Sequence, residues 1–349
     1  MKILITGNLG YVGPGVVSKL RKSYPSAELI GIDTGFFAHC LTNSPILPET
    51  KLNQQIFGDV RNFNPDILNG VDSVVYLAAI SNDPMGNRFE DVTMDINHKS
   101  AIYMAQAAKD RGVKTFVFAS SCSVYGEADN DAKVESDRLN PLTAYAKSKI
   151  AAERDLEPLA GNGFTVSCLR FATACGFSNR LRLDLVVNDF VAGAVASKRI
   201  DILSDGTPWR PLINVLDMAR AIDWAIAREP ENGGDFLAVN TGSSDWNFQV
   251  KELAEMVAEV INGCKVTVNA DAPPDKRSYR VNFDLFKKLA PNHQPIFQLK
   301  QTVSDLFEKL TEMGFYDPDF RQSDLIRLNV INRLKQNRLL DNNLFWNWK

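Results

Sequence analysis

Histidine and cysteine are scarce in this chain of 349 residues, which carries three histidines and five cysteines. The histidines lie far apart in the sequence, and no two cysteines form a C-x-x-C pair. Because zinc sites and hydrolase triads draw on histidine and cysteine side chains, we expect neither a metal site nor such a triad. Scattered cysteines in odd number are typical of reduced thiols in a cytoplasmic protein rather than of a disulfide framework.

Neither sign of charge is in excess, since 39 lysines and arginines face 42 aspartates and glutamates, a formal net charge of -3. This balance gives no electrostatic reason to expect nucleic acid or a membrane surface as a partner. Apolar runs are short, and none approaches the roughly 20 residues of a membrane span. A strand-like run starts at residue 2 and leaves no room for a signal peptide, so we expect a cytoplasmic protein.

The N-terminus carries a strand, a glycine turn, a helix and a second strand that ends in an acid. An apolar run over residues 2–6 precedes Gly7, Gly10 and Gly13, and a second apolar run stops at Asp33. Glycines in the first turn of a βαβ unit let a pyrophosphate approach the backbone at the helix N-terminus. Asp33 lies 20 residues after Gly13, where a carboxylate can accept hydrogen bonds from a ribose diol and repel a 2′-phosphate. The pattern predicts a site for NAD rather than NADP.

Apolar strand-like runs and helical segments alternate through the first half of the chain, which favours an α/β fold with a doubly wound parallel sheet, Rossmann-like, and a smaller C-terminal substrate-binding lobe. We assign residues 1–178 to an NAD-binding domain, with 212–243 returning to it. Residues 179–211 and 244–315 form the predicted substrate lobe. In the remaining segment, 316–349, leucines and an isoleucine at helical spacing predict a helix strapped over the body or a subunit contact.

Two segments of the first half carry side chains suited to proton and hydride transfer. Tyr145 and Lys149 stand four residues apart and share one face of a predicted helix. The ammonium group and a positive nicotinamide ring would lower the pKa of the phenol and make it a base, and Lys149 could also hold ribose hydroxyls. A serine cluster, Ser120, Ser121 and Ser123, follows a predicted parallel strand, at the edge where such sheets bind ligands.

In this order the motifs resemble the extended short-chain dehydrogenase/reductases, the NAD-dependent sugar-nucleotide epimerases and dehydratases. The resemblance runs from the N-terminus to about residue 313, and the G-x-x-G-x-x-G spacing of the glycine turn is part of it. It implies that Ser121, Tyr145 and Lys149 are catalytic, with Tyr145 as the base. It also implies a larger set of NAD contacts: Gly7, Asn8, Gly10, Tyr11, Val12, Gly13, Asp33, Asp59, Val60, Leu77, Ala78, Ala79, Asn97, Ser120, Tyr145 and Lys149.

Departures from the family pattern narrow the chemistry. The 4,6-dehydratases carry a glutamate two residues before the tyrosine of the serine loop, usually with another acid just ahead of it. This chain has Cys122 and Ser123 there, so dehydration lacks its acid and base. The 3,5-epimerising reductases use a cysteine and a histidine, whereas Cys122 is one position off that pattern and no matching histidine is present. What remains is 4-epimerisation, or oxidation or reduction at a sugar carbon.

The resemblance also implies contacts to a nucleoside-diphosphate sugar in the second lobe. Asn188 matches an asparagine on the substrate diphosphate, and Arg210 and Arg277 stand in segments whose arginines grip it, because a guanidinium fork matches phosphate oxygens. The full implied set of substrate contacts is Ser121, Ser123, Arg182, Asn188, Arg210, Arg277 and Arg280.

Three functions stay open at this point. The first is an NAD-dependent 4-epimerase of a nucleoside-diphosphate sugar that works through a transient 4-keto sugar, an activity expected in polysaccharide biosynthesis. The second is a net 4-dehydrogenase or 4-ketoreductase, because residues 182–190 also resemble a branch that includes GDP-heptose 4-oxidising enzymes. The third is an inactive relative that senses NAD or binds RNA, against which the intact Ser121, Tyr145 and Lys149 argue. The family further implies a homodimer formed through two helices of the first lobe.

Overall fold

The computed structural model describes residues 1–127, 131–269, 272 and 277–347. Its strands are β1 (Lys2–Thr6), β2 (Glu28–Asp33), β3 (Gln54–Phe57), β4 (Ser73–Tyr76), β5 (Thr115–Ser121), β6 (Thr165–Phe171), β7 (Thr173–Cys175), β8 (Arg199–Ile202), β9 (Trp209–Asn214), β10 (Phe236–Thr241), β11 (Asn247–Gln249) and β12 (Lys265–Val268). Its helices are α1 (Gly13–Ser23), α2 (Asp83–Arg88), α3 (Glu90–Met94), α4 (Ser100–Asp110), α5 (Ala144–Leu156), α6 (Val186–Ser197), α7 (Val215–Ala227), α8 (Val250–Val260), α9 (Asp284–Leu289), α10 (Leu299–Glu312) and α11 (Arg327–Gln336).

Seven strands form a central sheet in the order β10-β6-β5-β4-β1-β2-β3, and every pair of neighbours is parallel. The order runs outward in both directions from the first strand, as in a doubly wound sheet. This confirms the predicted fold class.

The inner strands β1, β4, β5 and β6 are almost entirely buried because helices cover both faces of the sheet, whereas the edge strand β3 is not. In β1, Leu4 points into one hydrophobic cluster, which contains residues of α4 and α5. Its neighbours Ile3 and Ile5 point into the opposite cluster, with residues of α1 and α7. Since side chains alternate along a strand, continuous burial requires a core on each side.

A second, smaller group of elements follows β6 and borders one end of the sheet. It holds a three-stranded sheet, β11-β9-β7, and a two-stranded sheet, β12-β8. Helices α6, α8 and α10 pack around them in a third hydrophobic cluster. Within residues 212–243, α7 and β10 belong to the central sheet and its cover, whereas β9 pairs in the small sheet.

The C-terminal segment, residues 316–347, lies against the central sheet's first core. Val330, Ile331 and Leu334 of α11 are buried there, followed by Leu340 and Leu344. Among the described ranges, no helix is both long enough and apolar enough to cross a membrane.

Candidate active site

A cavity of about 800 Å³ runs along the carboxyl ends of the central strands. The ends of β1, β2, β4 and β5 meet there because parallel strands all point in one direction. The smaller lobe closes the cavity from the other side, through residues that follow β7 and through Arg210 of β9. Ligands of open α/β sheets bind in such a crevice.

The glycine turn after β1 brings bare backbone to this cavity. Gly7 has a positive φ of 70°, and a Cβ there would lie 2.6 Å from the amide nitrogen of Ala78. Thr6 fixes that contact, since its Oγ1 accepts hydrogen bonds from the amides of Leu77 (3.2 Å) and Ala78 (3.1 Å). Only glycine allows this approach, which leaves the backbone open to a pyrophosphate.

Asp33 ends β2 beside the glycine turn and borders the cavity. Its carboxylate accepts hydrogen bonds from the amide of Leu9 (3.0 Å) and the amide of Gly35 (2.8 Å). Burial raises the pKa of Asp33, and these two amides oppose that shift. Because each carboxylate oxygen has two lone pairs, acceptor capacity remains for a ribose diol.

Most of the residues expected to contact NAD line the cavity: Gly7, Gly10, Tyr11, Val12, Asp33, Asp59, Val60, Leu77, Ala78, Ala79, Ser120, Tyr145 and Lys149. Three of the predicted contacts do not line it, namely Asn8, Gly13 and Asn97. These three residues are packed behind the residues that line the cavity.

Asn8 is fully buried against Gly31, and its amide donates to the side chain of Gln55 at 2.6 Å. Gly13 packs on the main chain of Asn8, where a Cβ would lie 1.9 Å from the carbonyl oxygen. Asn97 bonds both backbone groups of Ile80, accepting from N–H at 2.8 Å and donating to C=O at 3.0 Å. The sequence pattern marks all three positions but does not reveal which way their side chains point.

Tyr145 and Ser121 meet at the cavity wall. Tyr145 lies in the first turn of α5, which Thr143 caps by accepting from the amide of Ala146 (3.2 Å). Burial raises the pKa of Tyr145 to about 12, and a hydrogen bond with the Ser121 hydroxyl opposes the shift. Ser121 itself ends β5 and accepts from the amide of Ser123 at 3.1 Å, which fixes its side chain.

Lys149 lies one turn further along α5 and is almost fully buried. Its Nζ donates to the carbonyl oxygen of Ala119 at 2.7 Å and lies 5.5 Å from the centre of the Tyr145 ring. Burial lowers the pKa of Lys149 to about 7. Loss of water around the buried side chain therefore disfavours the ammonium form of Lys149. A buried lysine with a shifted pKa beside a phenol is typical of functional sites.

The two positions that carry acids in dehydratases are occupied differently here. The Cys122 thiol is buried and donates to the carbonyl oxygen of Arg170 at 3.0 Å, and burial raises its pKa. The Ser123 hydroxyl is buried at the cavity wall and has no hydrogen-bond partner in the described part of the chain. An unsatisfied buried hydroxyl is unfavourable, so a ligand oxygen is a natural partner for it.

Three of the arginines expected to contact the substrate reach the cavity: Arg182, Arg210 and Arg277. Arg182 is buried, pairs with Asp184 at 2.8 Å and donates to the hydroxyl of Ser81 at 2.9 Å. Arg277 approaches from the smaller lobe and pairs with Asp83 at 2.8 Å.

Asn188 and Arg280 do not line the cavity. Asn188 is fully buried in α6, where its side chain accepts from the amide of Gly176 (2.9 Å) and donates to the carbonyl oxygen of Arg182 (2.9 Å). Arg280 instead lies over the Trp209 ring, 5.2 Å from its centre. Asn188 thus holds the Arg182 backbone rather than facing the cavity itself.

Several residues that line the cavity were not predicted from the sequence. Ser81, Asn82 and Asp184 form one hydrogen-bonded group with Arg182. Arg321 and Arg327 come from the C-terminal segment. The signal for Arg327 was present, since it lies four residues before Ile331 on the predicted apolar face. Within the residues that the structure describes, no group of three or more histidine, cysteine, aspartate or glutamate side chains could hold a metal ion.

Comparison with known proteins agrees with this geometry. The model of the family described as "NAD dependent epimerase/dehydratase family" matches residues 3–242. An uncharacterised UDP-glucose epimerase of Bacillus subtilis (strain 168) is 28% identical over 281 residues, covering 77% of this chain and 84% of that protein. A UDP-glucose 4-epimerase of Corynebacterium glutamicum is 26% identical, covering 74% and 80%.

Solved structures share the fold over most of the chain. MoeE5 in complex with UDP-glucose and NAD is 25% identical, with a TM-score of 0.75, covering 89% of this chain and 99% of that one. A UDP-glucuronic acid 4-epimerase of Bacillus cereus has the same TM-score and coverage at 21% identity. The matches confirm the predicted enzyme class and the predicted NAD cofactor, and the chain belongs to the NAD-dependent epimerase/dehydratase family.

Proposed function

We propose that this protein is a UDP-sugar 4-epimerase that works through a transient 4-keto sugar. The observation that carries the proposal is the grouping of Ser121, Tyr145 and Lys149 at one edge of the cavity, with Cys122 and Ser123 where a dehydratase needs acids. UDP as the nucleotide is supported by the names of the relatives, two of which are UDP-glucose epimerases.

The residues at the cavity fit an NAD molecule. Backbone at Gly7 and Gly10 would hold the pyrophosphate, Asp33 would accept hydrogen bonds from the adenosine ribose, and Tyr145 and Lys149 would hold the nicotinamide end, since all of them line the cavity. Bound there, NAD supplies a reversible hydride acceptor for C4 of the sugar.

In the proposed reaction Tyr145 Oη takes the proton of the C4 hydroxyl while the C4 hydrogen leaves as hydride. Ser121 holds the same oxygen by a hydrogen bond, in the alcohol and in the carbonyl. The Lys149 ammonium favours the phenolate form of Tyr145 by its charge. When the hydride returns to the opposite face of C4 and Tyr145 returns the proton to the C4 oxygen, the C4 epimer is formed and no cofactor is consumed.

The proposal is tested by incubating the purified protein with UDP-glucose, UDP-glucuronic acid, UDP-N-acetylglucosamine and UDP-arabinose, without reductant or oxidant. We expect one or more of them to equilibrate with its C4 epimer, and Tyr145→Phe to abolish this. Accumulation of NADH with a keto sugar in proportion to enzyme or added NAD would instead assign a net 4-dehydrogenase. Turnover of GDP-, CDP- or dTDP-sugars alone would overturn the choice of UDP.

A further inference from the structure

The C-terminal segment delivers two arginines to the cavity, and they are held in different ways. Arg321 is gripped by the carboxylate of Asp189 through two hydrogen bonds, of 2.8 and 2.7 Å. Arg327, the first residue of α11, is 1% exposed. Its guanidinium donates to two main-chain oxygens, that of Arg180 at 2.7 Å and that of Asp324 at 3.3 Å. Across the described residues, no carboxylate lies within ion-pair distance of Arg327.

The neighbouring charges do not neutralise Arg327. Arg180 is paired with Glu49 at 2.9 Å, and Arg182 is paired with Asp184 at 2.8 Å. The carboxylates of Glu49 and Asp184 therefore already have their own arginines, and Arg327 has no ion-pair partner among the described residues at this wall of the cavity. A buried charge without a counterion is unfavourable, so this arrangement indicates a missing anion.

Burial lowers the pKa of Arg327 to about 10; the charges of Arg182 and Arg180 act in the same direction, while Cys40 and Asp184 oppose the shift without cancelling it. The side chain is still protonated at neutral pH. Its guanidinium carbon lies over the Phe37 ring, 5.0 Å from the ring centre.

This wall of the cavity is joined to the glycine turn. Ser178 Oγ accepts from the amide of Arg180 at 3.2 Å and donates to the carbonyl oxygen of Tyr11 at 2.6 Å. The main chain that holds Arg327 is thus tied to the turn that presents bare backbone to a pyrophosphate. An anion at Arg327 therefore lies in the same cavity as the cofactor and its substrate.

We propose that Arg327 binds a phosphate oxygen of a diphosphate, either the pyrophosphate of NAD or the diphosphate of the substrate nucleotide. A diphosphate carries negative charge that would balance the positive charge of Arg327. Guanidinium groups bind phosphate oxygens through paired hydrogen bonds. The NAD form of the proposal depends only on the family, and the substrate form rests on the proposed function.

The test compares Arg327→Met with Arg327→Lys and with Arg333→Met, a control on the exposed side of the same helix. One arm measures the affinity for NAD, or its exchange against labelled NAD if it copurifies. The other measures the affinity for UDP. Loss of a charge-assisted contact predicts a weakening of about 10- to 100-fold in one arm for Arg327→Met. We expect a smaller loss for Arg327→Lys and none for Arg333→Met. The affected arm identifies the diphosphate.

The melting temperature of the ligand-free protein separates this role from a structural one. If Arg327 serves an anion, Arg327→Met removes an uncompensated buried charge, and the melting temperature stays the same or rises. Unchanged NAD and UDP binding, or equal losses for Arg327→Met and Arg327→Lys, would overturn the proposal. A wild-type protein that binds both ligands without epimerising any UDP-sugar would contradict the proposed function but not the proposal that Arg327 binds a diphosphate.

Discussion

Tyr145 is the side chain on which the proposed chemistry depends most directly. Removing its hydroxyl in Tyr145→Phe deletes the proton acceptor, while the hydrogen-bonded contacts of α5 stay in place. We expect kcat to fall by roughly 100-fold or more, the usual loss for a general base. The measurement is steady-state epimerisation, alongside the NAD content and the melting temperature. Tyr316→Phe removes a phenol that is 75% exposed, and it should change none of these.

Lys149 is expected to tune the pH at which Tyr145 becomes a base. Burial raises the pKa of Tyr145 to about 12. A positive charge on Lys149, 5.5 Å from the ring centre, would favour the phenolate and oppose that shift. Activity is lost as pH falls and the phenolate is protonated. Lys149→Met should therefore move the acidic limb of the profile of kcat/KM upward by about one pH unit or more. Lys147→Met, two residues away on the exposed side of the helix, is the control. An unmoved limb would show that Lys149 does not tune the base.

Asp33 is expected to choose between the two dinucleotides. A carboxylate repels a 2′-phosphate, so the wild type should prefer NAD over NADP by about 100-fold or more. Asp33→Asn removes the negative charge and keeps one acceptor oxygen for the amides of Leu9 and Gly35. This variant should therefore show a smaller preference for NAD over NADP. Asp72→Asn, at the opposite end of β1, is the matched control. Equal preference in Asp33→Asn and the wild type would contradict the role.

For single residues, the sequence predicted which positions lie near the cavity better than it predicted which way their side chains point. The residues at strand ends, such as Asp33 and Ser121, could be placed because a parallel sheet gathers its carboxyl ends at one edge. Asn8 and Asn188 could not, since their direction depends on neighbours distant in sequence, Gln55 for one and Tyr11 for the other. Arg182 lines the cavity, but its hydrogen bond to Ser81 could not be predicted, because Ser81 lies in the loop after β4, 101 residues earlier.

Among the elements, the C-terminal segment makes contacts that reach the cavity from outside the central sheet. The Trp346 indole donates to the carbonyl oxygen of Thr34 at 2.7 Å, and its ring lies 5.5 Å from that of Phe36. Arg61, paired with Asp59, donates to the carbonyl oxygens of Asn343 and Leu344. Since Thr34, Phe36 and Asp59 all line the cavity, this segment braces the predicted adenosine end.

Trp346→Ala should therefore destabilise the protein. The indole is half-buried, so we expect a loss of about 1–3 kcal/mol in the free energy of unfolding, from lost packing and one lost hydrogen bond. Urea denaturation of the variant measures it. Tyr316→Ala, an exposed aromatic in the same segment, should cost much less. Equal losses in the two variants would mean that Trp346 does not brace the body.

The elements themselves were largely predictable. Alternating apolar strands and helices required a doubly wound parallel sheet, because both faces of such strands must be covered. The path of the C-terminal segment was not predictable, since helical spacing of leucines fits a strap and a subunit contact equally well. Which surface α11 covers depends on Phe37 and the Arg180 carbonyl, residues that no local pattern connects to it.

For the whole molecule, function depends on two groups of elements that meet over one cavity. The central sheet supplies the glycine turn, Asp33 and Ser121, helix α5 supplies Tyr145, and the smaller lobe supplies Arg210 and Arg277. A nucleotide sugar bound between them would place its C4 against Tyr145 while its phosphates face arginines. The homodimer implied by the family stays a prediction, to be measured as the mass of the purified protein in solution.

The central claim is that hydride leaves C4 and returns to the same carbon within one turnover. A UDP-sugar substrate labelled with deuterium at C4 tests this most directly, with the product analysed by mass spectrometry and NMR in ordinary water. We expect that the C4 epimer keeps its deuterium in full and that no NADH is released. Loss of the label to solvent, or a labelled reduced cofactor accumulating beside a 4-keto sugar, would contradict it.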